Sequence, residues 1–291
     1  MATTTACIAG EEIYRQWNSG RLNGRKLGRK TTPFGDSGDI FDVEADGKRL
    51  YLLARHEQGM GKTAPRKVND RANLYALKDL GVRNVLAWGP GGAITHDIAV
   101  GDLVVLDDVI DFTYLRDKTF FEDSPLGFLR EFPVFCPTLR RSLGDVLRGM
   151  KLIHHASGTV AVREGPRFET PAEVRMLATV GAEIVTHVFV PEVFLAKELQ
   201  LCYAGICYIV NYAETGSRHR PFATTDLFGA LTANSDIERL SGVVSSMSQI
   251  AANVVGMVET ALPICDCTEV VSAHRRQYNL PGDWRQWFSR D

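Results

Sequence analysis

The sequence predicts an α/β fold, a central mixed and twisted β-sheet flanked by helices, and three observations predict it. Residues 162–214 read as strand, glycine-proline turn, helix, strand, turn, helix, strand. Charged and amide side chains fall at the strand ends of that stretch, which is where open α/β sheets hold ligands. A length of 291 residues, 45% of them hydrophobic, allows a large buried core. The expectation is one domain over 1–291, with 265–291 as a divergent C-terminal tail.

Composition excludes several function classes. A net charge of −2 argues against a general binder of nucleic acid or acidic membranes. No apolar run approaches the roughly 20 residues of a spanning helix. The first ten residues lack a basic region followed by a long apolar core, so no secretory signal is expected and the default is a cytoplasmic protein. Six cysteines, Cys7, Cys136, Cys202, Cys207, Cys265 and Cys267, are scattered along the chain. Their spacing is not that of a zinc ligand set, and a chain this long needs no disulfide framework, so neither metal nor cofactor is expected.

In chain order, residues 5–10 read as a short strand entering a turn, and 17–30 as an exposed basic loop. Two β-prone runs, 40–44 and 49–54, flank Asp46-Gly47, a hairpin signal. The second run delivers Arg55-His56 at its end. Residues 67–81 carry a broad apolar face closed by Gly81 and read as a helix. Residues 82–87 form a buried strand that empties into a glycine-rich turn, Gly89 to Ala93, where backbone amides can approach a ligand. A strand at 103–106 leads into an acidic loop at 107–111. The aromatic stretch 112–137 is irregular and reads equally as a subunit-interface loop or as a loop packed on its own core. An amphipathic helix follows at 139–152. Residues 190–201 and 237–262 read as further helices. Trp284, Trp287 and Phe288 point to a docked tail.

Three segments, GPRFETPAE at 165–173, VPEVFLAKE at 190–198 and NYA at 211–213, resemble the purine nucleoside phosphorylase and methylthioadenosine phosphorylase family. The resemblance spans residues 31–214 and implies the phosphorylase/hydrolase-like fold, a homotrimer, and phosphorolysis of a purine nucleoside with inorganic phosphate as co-substrate. It implies that Phe168 packs on the purine face, that Glu169 accepts from N1–H of a 6-oxopurine, and that Asn211 meets O6 and N7 and assists the leaving base. Glu169 with Asn211 favours hypoxanthine- or guanine-type bases over adenine. The residue-level alternatives are a helix-terminal charge for Glu169 and a turn residue for Asn211. His187 and His219 fall near the sugar, where a histidine can bind hydroxyls, bind an anion or activate water; a core histidine is the alternative for His187. Arg55, His56 and the Gly89 backbone are the implied phosphate contacts, arginine because its planar fork meets phosphate oxygens in pairs. Cys265-Asp266-Cys267 resembles a late CxC of thermophilic members; ordinary free thiols are the default.

The same comparison exposes three departures at the phosphate end. Gly10-Glu11-Glu12 stands where a hydroxyl-bearing glycine loop is usual. Gly89-Pro90 removes a side-chain donor and one backbone N–H, and Val188 replaces a hydroxyl residue. At about 1.5–3 kcal/mol per hydrogen bond to a charged group, these losses keep alternatives open. They are a phosphate-independent nucleoside hydrolase with His187 as base, a phosphorylase with a rearranged anion site, and a non-catalytic nucleoside-binding homologue.

Overall fold

The computed structural model describes residues 4–56, 63–122, 124–213 and 234–288. Strand β1 (Thr5–Ala9) is buried throughout and hands over to helix α1 (Glu12–Asn18). The basic loop expected at 17–30 is instead the end of α1 followed by strand β2 (Asn23–Gly28). A two-stranded ribbon, β3 (Thr31–Thr32) and β4 (Gly35–Asp36), precedes β5 (Ile40–Ala45) and β6 (Lys48–Ala54). β2 pairs antiparallel with β5 at the sheet's edge. Its exposed arginine and lysine hide the strand from a hydrophobic-pattern reading, and such charges suit an edge. The β5–β6 hairpin is as expected: Ala45 faces Lys48, and Asp46 and Gly47 sit at φ 48° and 69°.

Helix α2 (Asp70–Asp79) starts later than expected because the Asn69 side chain caps it, accepting from the Ala72 N–H. Strand β7 (Asn84–Ala93) corrects the reading of 89–93 as a turn: it runs straight through Gly89-Pro90-Gly91-Gly92. Those glycines serve close approach. A Cβ on Gly91 would meet Cys207 Sγ at 2.5 Å, and one on Gly92 would meet Asn211 Oδ1 at 2.8 Å. Strand β8 (Leu103–Val105) follows, and then β9 (Asp108–Phe112) where an acidic loop was expected. The acids are tolerated because Asp111 is paired with Lys118 at 2.6 Å while backbone pairing continues. Part of the aromatic stretch packs on its own core: Phe120, Phe121 and Phe135 are buried, whereas Tyr114, Phe128 and Phe132 are exposed.

The rest of the chain comprises α3 (Pro137–Gly149), β10 (His154–His155), β11 (Thr159–Arg163), α4 (Pro171–Thr179), β12 (Ile184–Thr186), α5 (Glu192–Glu198), β13 (Cys202–Tyr212), α6 (Asn234–Ser245), α7 (Met247–Val258) and α8 (Ser272–Tyr278). The single helix expected over 237–262 is broken by a 45° bend between α6 and α7. Ser245 and Ser246 lie at the break, and their hydroxyls donate back to the Gly242 and Val243 carbonyls at 2.8 and 2.7 Å, competing with the helical ladder. No single helix among the described residues is long and apolar enough to cross a membrane. The tail docks as expected: the Phe288 ring centroid lies 5.1 Å from that of Phe120 and 5.3 Å from that of Phe121, and Trp284 lies 4.8 Å from Tyr75.

Eleven strands form one mixed sheet in the order β10-β8-β13-β7-β1-β6-β5-β2, with β12, β11 and β9 branching from β7. The branch makes the cleft. The first half of β7 runs parallel to β1, Asn84 to Ala87 facing Thr5 to Ile8. Further on, Gly92 and Ala93 pair antiparallel with Val185 and Ile184 of β12. β13 accompanies β7 along its length, with a bulge between Ile209 and Asn211. Alternate residues of β7 serve opposite faces: Val85 and Ala87 join the core under α2 and α5, and Leu86 and Trp88 join the core under α3 and α7.

Candidate active site

Strand ends surround the fork where β7 exchanges partners. Residues 163–170, after β11, contain the cis Gly165-Pro166 bond and carry Phe168 and Glu169. Thr170 caps α4 by accepting from Glu173 N–H, and Glu173 returns a bond to Thr170 N–H. Glu173 also holds Arg163 and Arg167, at 2.6 and 2.7 Å. The helix-terminal role considered for Glu169 therefore belongs to Glu173. Glu169 itself keeps a side chain only 7% exposed, with Arg163 Nε 3.8 Å away. Burial raises its pKa above the usual carboxylate value.

His187 follows β12. Its Nδ1 lies 3.3 Å from the Arg163 carbonyl, so Nδ1 carries the proton and Nε2 is left as the base. Burial lowers the pKa of this ring and favours the neutral form. Its centroid is 6.4 Å from that of Phe168, which is exposed. Gly165 packs behind it: a Cβ there, at φ 65°, would come within 3.1 Å of the His187 ring. Asn211 is buried beyond the bulge in β13, opposite Gly92. In the sheet, β12 and β7 lie between the strand that leads to Glu169 and the strand that carries Asn211. His219 lies outside the described residues.

The other side of the fork gathers the residues named for phosphate. Arg55 ends β6 and is buried; its Nε and Nη2 both donate to Glu192, and its Nη1 donates to the Trp88 carbonyl at 3.3 Å. Tyr203 donates its hydroxyl to Glu192 Oε2 at 2.8 Å. The neighbouring Asp70 carboxyl is pushed well up by burial and by Glu192, so it tends to hold its proton. Burial and the adjacent Arg55 push His56 down to about 4, leaving it neutral at pH 7. Gly89 is buried in β7 beneath Val188 and Phe189, and a Cβ on it would meet Val188 Cγ2 at 2.4 Å. Apolar side chains thus cover the backbone that was expected to face an anion.

Two further residues lie close by: Glu12, marked in sequence as part of a departure at the phosphate end, and Arg116, which sequence reasoning missed. Glu12 turns inward: it accepts from the Tyr208 hydroxyl, and its Oε2 is buried without a partner among the described residues. A Cβ on Gly10 would meet that oxygen at 2.8 Å and His56 Cδ2 at 3.9 Å, so carboxylate and imidazole face one small space. Arg116, in the aromatic segment, donates to the carbonyls of Val190, Arg163 and Glu164 at 2.5, 3.1 and 3.1 Å, tying together the two loops that carry His187 and Glu169. Glu164 in turn accepts from the Tyr114 and Leu115 N–H groups. Arg116 is one of two arginines in the irregular stretch 112–137 and gives no signal without the fold.

An open mixed sheet with an acid, an amide, an imidazole and a buried arginine around a strand fork is the architecture of an enzyme of the nucleoside phosphorylase class. The chain belongs to the phosphorylase superfamily, whose family model matches residues 24–245. It is 39% identical over 209 residues to a probable S-methyl-5′-thioinosine phosphorylase of Methanothermobacter thermautotrophicus, covering 71% of this chain and 70% of that one. It is 40% identical over 215 residues to a probable 6-oxopurine nucleoside phosphorylase of Thermococcus kodakarensis, covering 72% and 79%. Among solved structures, a methylthioadenosine phosphorylase from an antarctic soil metagenomic library superposes with a TM-score of 0.82 at 27% identity, over 94% of this chain and 92% of that one.

Proposed function

We propose that the protein cleaves the N-glycosidic bond of a purine nucleoside, of the 6-oxopurine type in preference to adenine, by phosphorolysis. The observation that carries this reading is Glu169. It is a nearly buried carboxyl released from helix capping by Glu173 and next in the chain to Phe168, whose ring lies 6.4 Å from that of His187. The names of the relatives support the reaction and the base class.

In this reading Glu169 accepts from N1–H, Asn211 serves O6 and N7, and Phe168 covers the ring. As the C1′–N9 bond breaks, the pair of electrons leaves with the base. Asn211 stabilises that charge, and the sugar becomes oxocarbenium-like. A phosphate oxygen then forms the new bond to C1′. His187 stands by the sugar. Arg55 and His56 are the proposed phosphate contacts, with Arg55 shared with Glu192; the Gly89 backbone, covered by Val188 and Phe189, is not one of them. Inorganic phosphate is the co-substrate, and the reading uses no organic cofactor.

Cleavage by water is a second reading, favoured by one observation: the unpartnered Glu12 Oε2 next to Gly10 and His56, where a carboxylate opposes a phosphate dianion and suits a water. Release of free base from inosine, guanosine, adenosine and their 5′-methylthio analogues, with and without phosphate, tests both. Turnover that requires phosphate and is strongest on 6-oxopurines supports the proposal. Equal turnover without phosphate replaces it by the hydrolase, and no turnover on any of these overturns both.

The proposal extends to a cytoplasmic homotrimer. Exposed Tyr114, Leu115, Phe128 and Phe132 in one segment support burial against another copy. Light scattering on the purified chain, reading three chains per particle, checks the assembly.

A further inference from the structure

The cysteines that look scattered in sequence converge in space. The Sγ atoms of Cys136, Cys202, Cys265 and Cys267 all lie within 4.8 Å of one another. They come from three segments: Cys136 caps the N-terminus of α3, Cys202 opens β13, and the other two flank Asp266 in the tail. All four are free thiols. We propose that these four cysteines form a structural zinc site that fastens the C-terminal segment to the sheet.

The distances carry the argument. Cys202 Sγ and Cys265 Sγ are 3.7 Å apart. A disulfide requires about 2.05 Å. A tetrahedron with metal–sulfur bonds of about 2.3 Å has sulfur–sulfur edges of about 3.8 Å. Four thiolates around one centre select zinc among the common divalent ions, and four protein ligands leave no open position for catalysis.

The surroundings fit a tetrathiolate. Hydrogen bonds outside the cluster set its backbone: Cys136 N–H donates to the Tyr203 carbonyl at 2.8 Å, Cys202 N–H to the Arg83 carbonyl at 2.9 Å, and Ile264 N–H to Thr138 Oγ1 at 2.9 Å. Cys136 stands at the N-cap of α3, where the unpaired N–H groups of a helix start favour a thiolate. Lys78 lies within electrostatic reach of Cys202 and opposes the negative charge. Binding Zn²⁺ to four thiols releases four protons and leaves a centre of charge −2. No redox step is involved. Residues 265–288 then hold Trp284, Trp287 and Phe288 against Phe34, Tyr75 and Phe120.

The test is made on the full chain purified without chelator. Zinc is measured by elemental mass spectrometry, and thiols are counted with a disulfide reagent in denaturant plus EDTA. The proposal expects roughly one zinc per chain, six titratable thiols, loss of the zinc in Cys265→Ser/Cys267→Ser, and a Tm that chelator lowers in the parent but not in that variant. Two titratable thiols with no zinc would mean two disulfides and overturn it, as would six thiols with no zinc, or iron in place of zinc. These stoichiometries are read on the parent chain, so a poorly folding variant does not remove the test.

Discussion

Arg55 and Glu192 are 137 residues apart in the chain and meet as a two-pronged ion pair, with side chains 3% and 2% exposed. Glu192, with the Tyr203 hydroxyl on its second oxygen, holds the guanidinium against the Trp88 carbonyl at the base of the fork. Breaking such a pair leaves an uncompensated buried charge, at about 3–5 kcal/mol. Glu192→Gln and Arg55→Met are each expected to lose that much stability in urea unfolding. The double variant should lose clearly less than the sum, because it removes both charges. Additive losses would show that the two groups are not energetically paired.

Among the described residues the one ion-pair partner of Glu169 is Arg163, at a long 3.8 Å, so its removal should leave the fold alone. Glu169→Ala is expected to lower kcat/KM for inosine by about 10- to 150-fold, the value of one or two hydrogen bonds to a charged group, with Tm little changed. Steady-state kinetics beside a thermal melt checks it. An unchanged kcat/KM would remove Glu169 from the base site.

Gly92 sets the position of Asn211. Because a Cβ at residue 92 would sit 2.8 Å from Asn211 Oδ1, Gly92→Ala is expected to displace the amide and cut kcat by about 10²-fold. Asn211→Ala should reach a similar rate, and adding Gly92→Ala to it should change little further. Independent, multiplying losses would refute the link.

Glu198 is a buried acid of α5 that accepts from the Thr119 hydroxyl and, at 2.7 Å, from the Phe120 N–H; burial carries its pKa from 4.5 to about 7. The folded-state value lies above the unfolded one, so its stabilising contribution is fully present below about pH 4.5 and lost as pH rises through about 7. His56, lowered to about 4, works oppositely: its contribution is lost as pH falls below its unfolded value of 6.5. The parent's pH profile mixes the two, so the difference between parent and Glu198→Gln isolates the acid. Parent stability relative to the variant should fall between about pH 5 and 7. A constant difference across that window would contradict the assignment.

Much of the fold was legible because local chemistry and tertiary pairing agree: Asp46-Gly47 between alternating runs, the cap and apolar face of α2, and the strand–turn–helix sequence around Glu169. Misreadings fell where pairing overrides local signals. β2 reads as a basic loop because its Arg25 and Lys26 are exposed and meet their partners, Asp42 and Asp39, only in the fold, and Gly89 to Ala93 reads as a turn because glycines required by packing look like glycines required by bending. The residues proposed for the base were nameable because Phe168 and Glu169 share one short contiguous motif and Asn211 belongs to another. The surroundings were not: Glu12, Glu192 and Tyr203 near Arg55 and His56, and Arg116 behind the His187 and Glu169 loops, come from separate segments and meet only where the fold joins them. Cysteine spacing failed for the same reason, since 63 residues separate Cys202 from Cys265.

The exchange of partners along β7 also has an evolutionary meaning. One strand supports two neighbourhoods with separate scaffolds: β1 and β6 bring Gly10, Glu12, Arg55 and His56, whereas β11, β12 and β13 bring Glu169, His187 and Asn211. Substitutions in the first neighbourhood need not disturb pairing in the second. A lineage can therefore rebuild what attacks the sugar while inheriting unchanged what recognises the base. Glu11 and Glu12 follow β1 in the first neighbourhood, whereas Gly89 lies in β7 itself and Val188 follows β12, so the strand they share is where the two neighbourhoods constrain one another.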